Sequence, residues 1–421
     1  MAEPGNTQNR EHPPRFVYQQ QAATFRARKT ALGLRLLLGH FPSPSQTLID
    51  QVAAAYNRAD ETGDRVAQEL FNNPQLRQAN INPHEYLRQA VEQGSAAVDD
   101  TLTPSLKTLI QQAETPPLWL DSGKLTEACD VIHRCGRFAM YALGDMALLG
   151  GYANSDITKP LSFTGALNGN SSFDRVSETT SFWFDVTTPG ALVPGAKGYC
   201  SAVKVRVMHA LVRQRLLQHP DWNTEEWGLP INQGDSLATN VAFSMLMITG
   251  ASMMGWRFND KEIEAVLHLW RYVAFLMGDD WTLLPENREQ GVDWLFVIAM
   301  GSRINPDDDS MALAKSYLEN FLDVPGRPAY KKFVYWFHRM YANWLIPADI
   351  RRVLNIPSAY GLGLLPALQF PFIRLMDTAA RFIPPFDRWL RRFGRNGQQY
   401  IVSSRLQGRE VTFADKNTMA R

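Results

Sequence analysis

The spacing of apolar residues predicts an almost entirely helical chain. From Ala22 to about Glu114, apolar residues recur three and four positions apart, as Leu32 and Leu36 do, and polar segments with SPS and NPQ turn signals separate the runs. Short runs in which β-branched and polar residues alternate, as they do in strands, are scarce. The long segments are rich in Ala, Leu, Met and Arg, which favour helices. The sequence therefore predicts an all-α fold.

The pattern divides the chain into five parts. In chain order, we predict a loose polar tail (1–20), an N-terminal helical extension (21–122), a core (123–322), a C-terminal helical segment rich in Pro, aromatic residues and Arg (323–395), and a polar tail (396–421). Seven of the eleven tryptophans lie in the central core, which places the largest apolar interior there. Irregular backbone is expected over 155–170 and 187–198.

Composition narrows the class of protein. The chain has 421 residues, of which 45% are hydrophobic and 20% charged, and this excludes a disordered chain. Its 43 Lys and Arg against 42 Asp and Glu leave a net charge of +1, so a nucleic-acid partner is not expected. Three cysteines without a metal-ligand spacing indicate reduced thiols rather than a disulfide framework.

The N-terminal sequence shows no secretory signal, and neither long apolar run predicts a transmembrane helix, so we expect a cytoplasmic protein. The stretch from Phe370 to Arg395 interleaves six arginines with six aromatic residues. Such a mixture suits a membrane interface. Two alternatives stay open: this segment packs on the core, or it makes a peripheral membrane contact.

One helix predicted over Lys204–Leu217 carries a candidate metal ligand. Arg206, His209 and Arg213 fall at i, i+3 and i+7, hence on one face. Two fixed positive charges disfavour a protonated imidazole, and a neutral imidazole is what a metal ligand requires. The arginines would suit anionic groups beside the metal, such as porphyrin propionates. A partly buried histidine between two surface arginines is the simpler alternative.

Two further clusters carry weaker signals. Arg175, Glu178 and Thr179 share one predicted helical face, and Glu178 is a candidate proton donor or acceptor; a local Arg–Glu pair explains the same spacing. Asp235 is a candidate helix cap, which would align Thr239 with Phe243 one turn later. Glycine-rich phosphate loops and a GxSxG nucleophile motif are absent from the sequence.

Five strings stand in a specific order around these residues. The chain closely resembles the latex-clearing-protein or rubber-oxygenase catalytic domain, which is shared with the membrane-bound oxygenase of the mycophenolic acid pathway, over residues 125–320. The matching strings are GGYANSDITKPLSFTGAL, FDRVSETTSF, TTPGALVPGAKGY, VKVRVMHALVRQRL and EWGLPINQGDSLATNVAFS.

The resemblance implies a b-type haem in a globin-like all-α core. His209 matches the axial ligand of the haem iron, and Arg206 and Arg213 match the arginines that flank it. Thr239 matches a threonine near the haem. On the distal side, Arg175 and Thr179 match the family's Arg-x-x-[Lys/Glu]-Thr motif.

Glu178 stands where the characterised rubber-cleaving members carry lysine. A carboxylate is a harder, anionic ligand than an amine, so three alternatives stay open: Glu178 binds ferric iron, it leaves the sixth site to water or O2, or it takes a proton during turnover. Cleavage of polyisoprene itself therefore does not follow from the resemblance.

The resemblance implies a haem-dependent oxygenase or dioxygenase that uses O2 on an unsaturated lipophilic substrate, such as an isoprenoid or lipid, by oxygen insertion or cleavage of a C=C bond. A non-catalytic haem- or lipid-binding protein of the same fold is the first alternative. A haem-free, membrane-associated helical protein is the second. The sequence does not determine the oligomeric state.

Overall fold

Short polar side chains begin many of the helices, because they accept hydrogen bonds from backbone N–H groups that the first turn leaves free. Thr24, Ser45 and Asn82 cap helices of the N-terminal region in this way. The computed structural model describes residues 13–164, 170–324 and 326–406. The N-terminal helices are α1 (Tyr18–Gln21), α2 (Phe25–Leu38), α3 (Gln46–Ala55), α4 (Glu61–Asn72), α5 (Pro74–Gln78), α6 (Pro83–Gln93) and α7 (Pro104–Glu114).

The central region contains the longer helices and two segments of π-helix. Its α-helices are α8 (Ser122–Cys135), α9 (Arg137–Tyr141), α10 (Leu149–Gly151), α11 (Ser155–Phe163), α12 (Asn170–Val186), α13 (Lys197–Leu217), α14 (Thr224–Trp227), α15 (Gln233–Val241), α16 (Met247–Met253), α17 (Asp260–Met277), α18 (Arg288–Gly301) and α19 (Asp308–Glu319). A π-helical segment, Ala142–Leu148, joins α9 to α10, and a second, Ala242–Leu246, joins α15 to α16.

The C-terminal region continues as helices to the end of the described residues. They are α20 (Pro328–Leu345), α21 (Ala348–Val353), a 3₁₀ segment (Leu362–Gln369), α22 (Phe370–Phe382) and α23 (Pro384–Leu406). Helix α22 ends just before Pro384 and Pro385, which begin α23. A residue that precedes a proline disfavours helical backbone, whereas a proline suits the first turn of a new helix.

The all-α prediction is confirmed. Within the described residues there is no strand, and one isolated bridge joins Phe16 to Ser302. One apolar core extends from the N-terminal helices to α23. Four of the seven central tryptophans are fully buried in it, namely Trp183, Trp256, Trp270 and Trp294. The three cysteines are buried free thiols.

Helix α13 lies in the middle of the protein. It packs against α4 from the N-terminal region and against α12 and α17 from the central region. Helix α23 returns from the C-terminus to pack on α8 and α12. The N-terminal helices are therefore part of the frame around α13 rather than a separate extension.

Three predicted boundaries differ from the structure. Residues 13–20 are packed rather than loose, because buried Arg15 binds buried Asp235. Residues 155–163 form α11, since Asn154 caps its first turn. The helix α23 continues beyond residue 396 to Leu406, which moves the start of the polar tail. Residues 1–12 and 407–421 of the two predicted tails lie outside the described residues.

Within the described residues, one helical stretch is long and apolar enough by composition to cross a membrane. It runs from Gln233 to Met253 with a mean hydropathy of 1.2, and 61% of it is buried inside the protein. It consists of α15, the second π-helical segment and α16, and Met245, Met247 and Ile248 belong to the apolar core. Its packing is that of a core helix.

Candidate functional site

His209 lies near the middle of α13, where its imidazole forms no hydrogen bond with the described residues. Within the described residues, neither of its ring nitrogens has a hydrogen-bond partner. Many protein atoms surround the side chain, but part of its surface remains accessible. His209 therefore offers an unused imidazole nitrogen inside the protein.

The charge state of His209 follows from its surroundings. Burial is the main cause that lowers the pKa of this imidazole, to about 4, and the positive charges of Arg213 and Arg175 lower it further. Asp60 acts in the opposite direction. The imidazole is consequently neutral at pH 7. The spacing predicts that the two flanking arginines keep the imidazole neutral. In the structure, burial is the largest cause of the lowered pKa, and Arg175 also contributes.

Arg206 and Arg213 bind carboxylates of the N-terminal region. Arg206 is bidentate to Asp60, with distances of 2.6 and 2.8 Å from Nε and Nη2 to the two carboxylate oxygens. The Nε atom of Arg213 donates to Asp64 at 2.8 Å, and its Nη1 donates to the carbonyl of Ile231 at 2.7 Å. Both guanidinium groups thus anchor α13 to α4.

One guanidinium nitrogen of Arg213 remains available as a hydrogen-bond donor. Within the described residues, Nη2 of Arg213 is buried and has no hydrogen-bond partner. A buried, unpaired guanidinium N–H is unfavourable by itself and attracts an anionic acceptor. Arg213 therefore keeps one donor for a ligand, while both carboxylate-facing atoms of Arg206 are occupied by Asp60.

The distal residues lie on α12, whose first described side chain is Arg175. This side chain is exposed, and its Nη2 donates to Thr164 Oγ1 at 3.2 Å. Glu178 and Thr179, one turn later, are half-buried. Helices α12 and α13 pack against each other, and the positive charge of Arg175 contributes to the lowered pKa of His209.

An apolar cleft lies beside α12. Its unfilled space amounts to about 460 Å³, counted out to its open mouth. Its walls are formed by Met140, Leu143, Gly144, Leu148, Val176, Thr179, Thr180, Trp183 and Phe243. Thr179 comes from the predicted distal cluster and Phe243 from the predicted helix that carries Thr239. The structure therefore brings two of the sequence clusters together on one cleft.

Both π-helical segments contribute to the wall of this cleft. Leu143, Gly144 and Leu148 come from the first segment, and Phe243 comes from the second. The two segments also pack against each other. A π-helical turn widens the helix locally and is frequent at functional sites. The sequence analysis did not identify these segments, because apolar spacing does not distinguish π-helix from α-helix.

A buried carboxylate fixes the first π-helical segment. Asp145 has no exposed surface, accepts a 2.8 Å hydrogen bond from Tyr317 Oη, and lies 2.8 Å from Nδ1 of His338. Phe321 stacks on the His338 ring with the centroids 3.6 Å apart. The sequence analysis did not single out Asp145, although a lone carboxylate in the apolar run ALGDMALL was a usable signal.

Thr239 lies on α15 and is exposed. Its hydroxyl donates to the carbonyl of Asp235 at 2.8 Å. The prediction that Asp235 caps this helix is wrong, because the helix begins about one turn earlier. Asn232 is the cap, and its side chain accepts a hydrogen bond from the backbone N–H of Asp235 at 2.8 Å. The carboxylate of Asp235 is used instead by Arg15, at 2.5 and 3.0 Å.

Asp279 is a second deeply enclosed titratable group of this region. Burial is the main cause that raises the pKa of its carboxyl to about 7, and the negative charge of Asp60 adds to it. Arg206 and the hydrogen bond from Ser236 partly offset the shift. The sequence analysis noted Asp279 only as one of a pair of carboxylates in a loop, since burial cannot be read from that position.

The residues present fit a haem in one specific respect. A side chain of the protein would hold a haem iron, commonly through an imidazole, and His209 is a neutral imidazole without a hydrogen-bond partner among the described residues. Within the described residues, no three His, Cys, Asp or Glu side chains form a group able to hold a bare metal ion. The cleft beside α12 is lined mainly by apolar side chains, as an apolar macrocycle or substrate requires, and His209 is not among its lining residues.

Comparison with known proteins places these residues in a family. The model described as "ER-bound oxygenase mpaB/B'/Rubber oxygenase, catalytic domain" matches residues 134–381, more than half of the chain. Rubber oxygenase from Streptomyces sp. (strain K30) is 25% identical over 224 residues, which cover 52% of this chain and 53% of that protein. The chain thus spans about half the length of that curated relative.

A solved structure shares the fold. Latex clearing protein in the closed state aligns with a TM-score of 0.59 and 20% sequence identity, covering 81% of this chain and 91% of that chain. At this identity the likeness concerns the fold and not the site residues. It extends beyond the matched catalytic domain to most of the helices described above.

Proposed function

Because the chain belongs to the family of ER-bound oxygenases and rubber oxygenases described by that catalytic-domain model, we propose that it is a haem b-dependent oxygenase that uses O2 on an unsaturated lipophilic substrate. The observation that carries this proposal is His209, a deeply enclosed and neutral imidazole without a hydrogen-bond partner among the described residues. Nε2 of buried His133 likewise has no hydrogen-bond partner among the described residues, and burial lowers the pKa of that imidazole to about 4 as well. The choice of His209 therefore rests also on its place in the string VKVRVMHALVRQRL.

The proximal side of the site is rigid in this proposal. His209 would hold the haem iron, and the ion pairs of Arg206 with Asp60 and of Arg213 with Asp64 hold its helix in place. The unpaired Nη2 of Arg213 is the donor available to a propionate. Asp60 occupies Nε and Nη2 of Arg206, so Arg213 is the first propionate donor of the proposal, and Arg206 stays a proposed haem-binding residue. Thr239 remains a proposed neighbour of the haem.

The bound haem would supply the iron at which O2 reacts, and the chain supplies the environment. On the distal side, Arg175 contributes a positive charge that reaches the His209 ring, and Thr179 presents a hydroxyl to the cleft. Glu178, half-buried between them, holds or moves a proton during turnover. Of these three residues, Thr179 lines the cleft, whereas Arg175 and Glu178 are not among its lining residues.

The cleft determines the class of substrate. Its lining of Met, Leu, Val, Trp and Phe side chains excludes water and favours a hydrocarbon chain. Two threonines, Thr179 and Thr180, contribute the polar atoms of the wall. An unsaturated isoprenoid or lipid is the substrate class that such a lining accepts, and a C=C bond is the group at which oxygen insertion or cleavage takes place.

Oxygen consumption tests the proposal. The protein loaded with haemin is supplied with farnesol or oleic acid, and O2 uptake is compared with that for the saturated analogues. We expect uptake with the unsaturated compounds and oxidised or shortened products that carry carbonyl groups. A haem-loaded protein that consumes no O2 with any unsaturated compound would instead support a non-catalytic haem- or lipid-binding protein.

A further inference from the structure

Helix α22 is oriented with its apolar stripe towards solvent. Phe372, Leu375 and Phe382 follow helical spacing along one face and are 62%, 67% and 80% exposed. The opposite face contains Asp377, whose side chain is fully buried. The buried face also contains Ile373 and Ala380, so α22 is apolar on two faces, whereas an ordinary surface helix has one apolar stripe that faces the core.

Ion pairs hold the helix in this orientation. The carboxylate of Asp377 lies 3.3 Å from Nε of Arg257, 3.3 Å from Nε of Arg381 and 3.6 Å from Nε of Arg134. Arg381 also binds Glu262 at 3.0 Å. Turning the apolar face inward would break these pairs and leave a buried carboxylate unpaired, which is strongly unfavourable. The exposure of the apolar face is therefore built into the fold.

The exposed apolar face extends to both sides of α22. The preceding 3₁₀ segment exposes Leu364 (67%) and Leu368 (73%), and α23 exposes Trp389 (54%) and Phe393 (63%). Trp389 stacks between Phe386 and Phe393, with centroids 5.6 and 5.2 Å apart. We name the following six residues the C-terminal apolar surface: Leu364, Leu368, Phe372, Leu375, Trp389 and Phe393.

The charges beside this surface are positive. The stretch from 362 to 406 contains seven arginines and two aspartates, with no lysine or glutamate. Both aspartates are already bound by arginines, Asp377 as above and Asp387 by Arg391. Arg388, Arg392 and Arg395 are exposed, and within the described residues they form no ion pair. The surface thus combines exposed Leu, Phe and Trp with unpaired guanidinium groups.

We propose that the C-terminal apolar surface docks on an anionic lipid bilayer. Large exposed apolar patches on a protein are uncommon and indicate an interaction site. Aromatic and leucine side chains insert at the boundary between headgroups and acyl chains, and unpaired arginines bind lipid phosphates. An uncharged apolar partner would leave Arg388, Arg392 and Arg395 without counter-charges. The proposal does not depend on the haem or on the oxygenase activity.

Vesicle sedimentation tests this proposal with the full-length protein. The vesicles contain phosphatidylcholine alone or phosphatidylcholine with phosphatidylglycerol. We expect binding to the anionic vesicles, weaker binding to the neutral ones, and loss of binding at high salt. The triple variant Leu368→Gln, Phe372→Gln, Leu375→Gln and the double variant Arg388→Gln, Arg392→Gln should each weaken binding about tenfold or more.

Two control variants match these substitutions. Leu118→Gln changes a fully exposed leucine in the loop between α7 and α8, and Arg65→Gln changes an exposed arginine of α4. Both should bind like the wild type. Thermal unfolding and haem content, which should be unchanged in every variant, show that the substitutions leave the fold intact.

Three results would overturn the proposal. One is wild-type protein that sediments with neither kind of vesicle. Another is binding that the surface variants do not weaken. The third is a concentration-dependent dimer that these variants dissociate, because the surface would then be occupied by a second copy of the chain.

Discussion

Arg206 and Asp60 meet across 146 residues of chain. Nε of Arg206 lies 2.6 Å from Oδ2 of Asp60, and Nη2 lies 2.8 Å from Oδ1. Only 9% and 11% of the two side chains are exposed. Bidentate, charge-assisted pairs are among the stronger hydrogen-bonded contacts in proteins. This pair ties the helix that carries His209 to the start of α4.

Removal of one partner should therefore destabilise the protein. Asp60→Ala leaves the Arg206 guanidinium buried without a counter-charge, and we expect a loss of about 3–5 kcal/mol in the free energy of unfolding. Chemical denaturation measures it. The control is Glu85→Ala, which breaks the exposed pair with Arg88 and should leave the midpoint close to that of the wild type. Equal, small effects of both variants would contradict a structural role for the buried pair.

His209→Ala should abolish haem binding. The substitution removes the axial imidazole but leaves the Arg206 and Arg213 ion pairs of α13 intact. After incubation with haemin, the wild type should show a Soret band and about one haem b per chain by pyridine haemochrome. His219→Ala, at a half-exposed histidine outside the site, should keep its haem. Full haem content in His209→Ala would disprove the ligand assignment.

Glu178→Gln should separate haem binding from turnover. The amide has nearly the size of the carboxyl but cannot exchange a proton, so haem content should stay normal while kcat falls about a hundredfold. Glu178→Asp, which keeps the acid, should recover part of kcat with little change in KM. Absorption spectra taken alongside show whether the sixth position of the iron changes. Wild-type kcat and spectra in both variants would make Glu178 a structural residue of α12.

Gly144→Ala should disturb the wall of the cleft. A Cβ atom at this position meets Oη and Cζ of Tyr317, which the hydrogen bond to Asp145 holds in place. We expect a destabilisation of about 1–3 kcal/mol, typical of overpacking. Tyr317→Phe removes the clashing hydroxyl, so the double variant should be more stable than the sum of the single effects predicts. Strictly additive effects would show that the contact does not restrict Gly144.

Asp279 should make stability depend on pH. Its pKa is raised from 3.8 to about 7 in the folded state, so the folded protein binds more protons than the unfolded chain between these values. The stability contributed by this group is full at low pH, and it falls as pH rises from about 4 until the folded pKa is passed. Asp279→Asn removes this titration. Relative to the wild type, the variant should be more stable at pH 8 than at pH 5, by about 2–3 kcal/mol. Parallel pH profiles of the two proteins would contradict the prediction.

The local pattern of the sequence determined the class of fold and the first candidate ligand. Helical spacing depends on residues three and four positions apart, so the all-α architecture and the common face of Arg206, His209 and Arg213 could be predicted from neighbours in the chain. The order of the five strings was sufficient to place the chain in its family. Helix ends were less certain, since α23 keeps its helical backbone beyond the point at which its sequence becomes polar.

Tertiary structure alone decided which partners these side chains have. The arginines beside His209 bind Asp60 and Asp64, and Asp145 is joined to Tyr317 and His338, across separations of about 150 to 190 residues. Burial by distant helices raises the pKa of Asp279, and it also encloses Asp377 on the inner face of α22, opposite the exposed apolar side chains. Partner choice and burial depend on which helices pack together, and spacing along one helix contains no information about that packing.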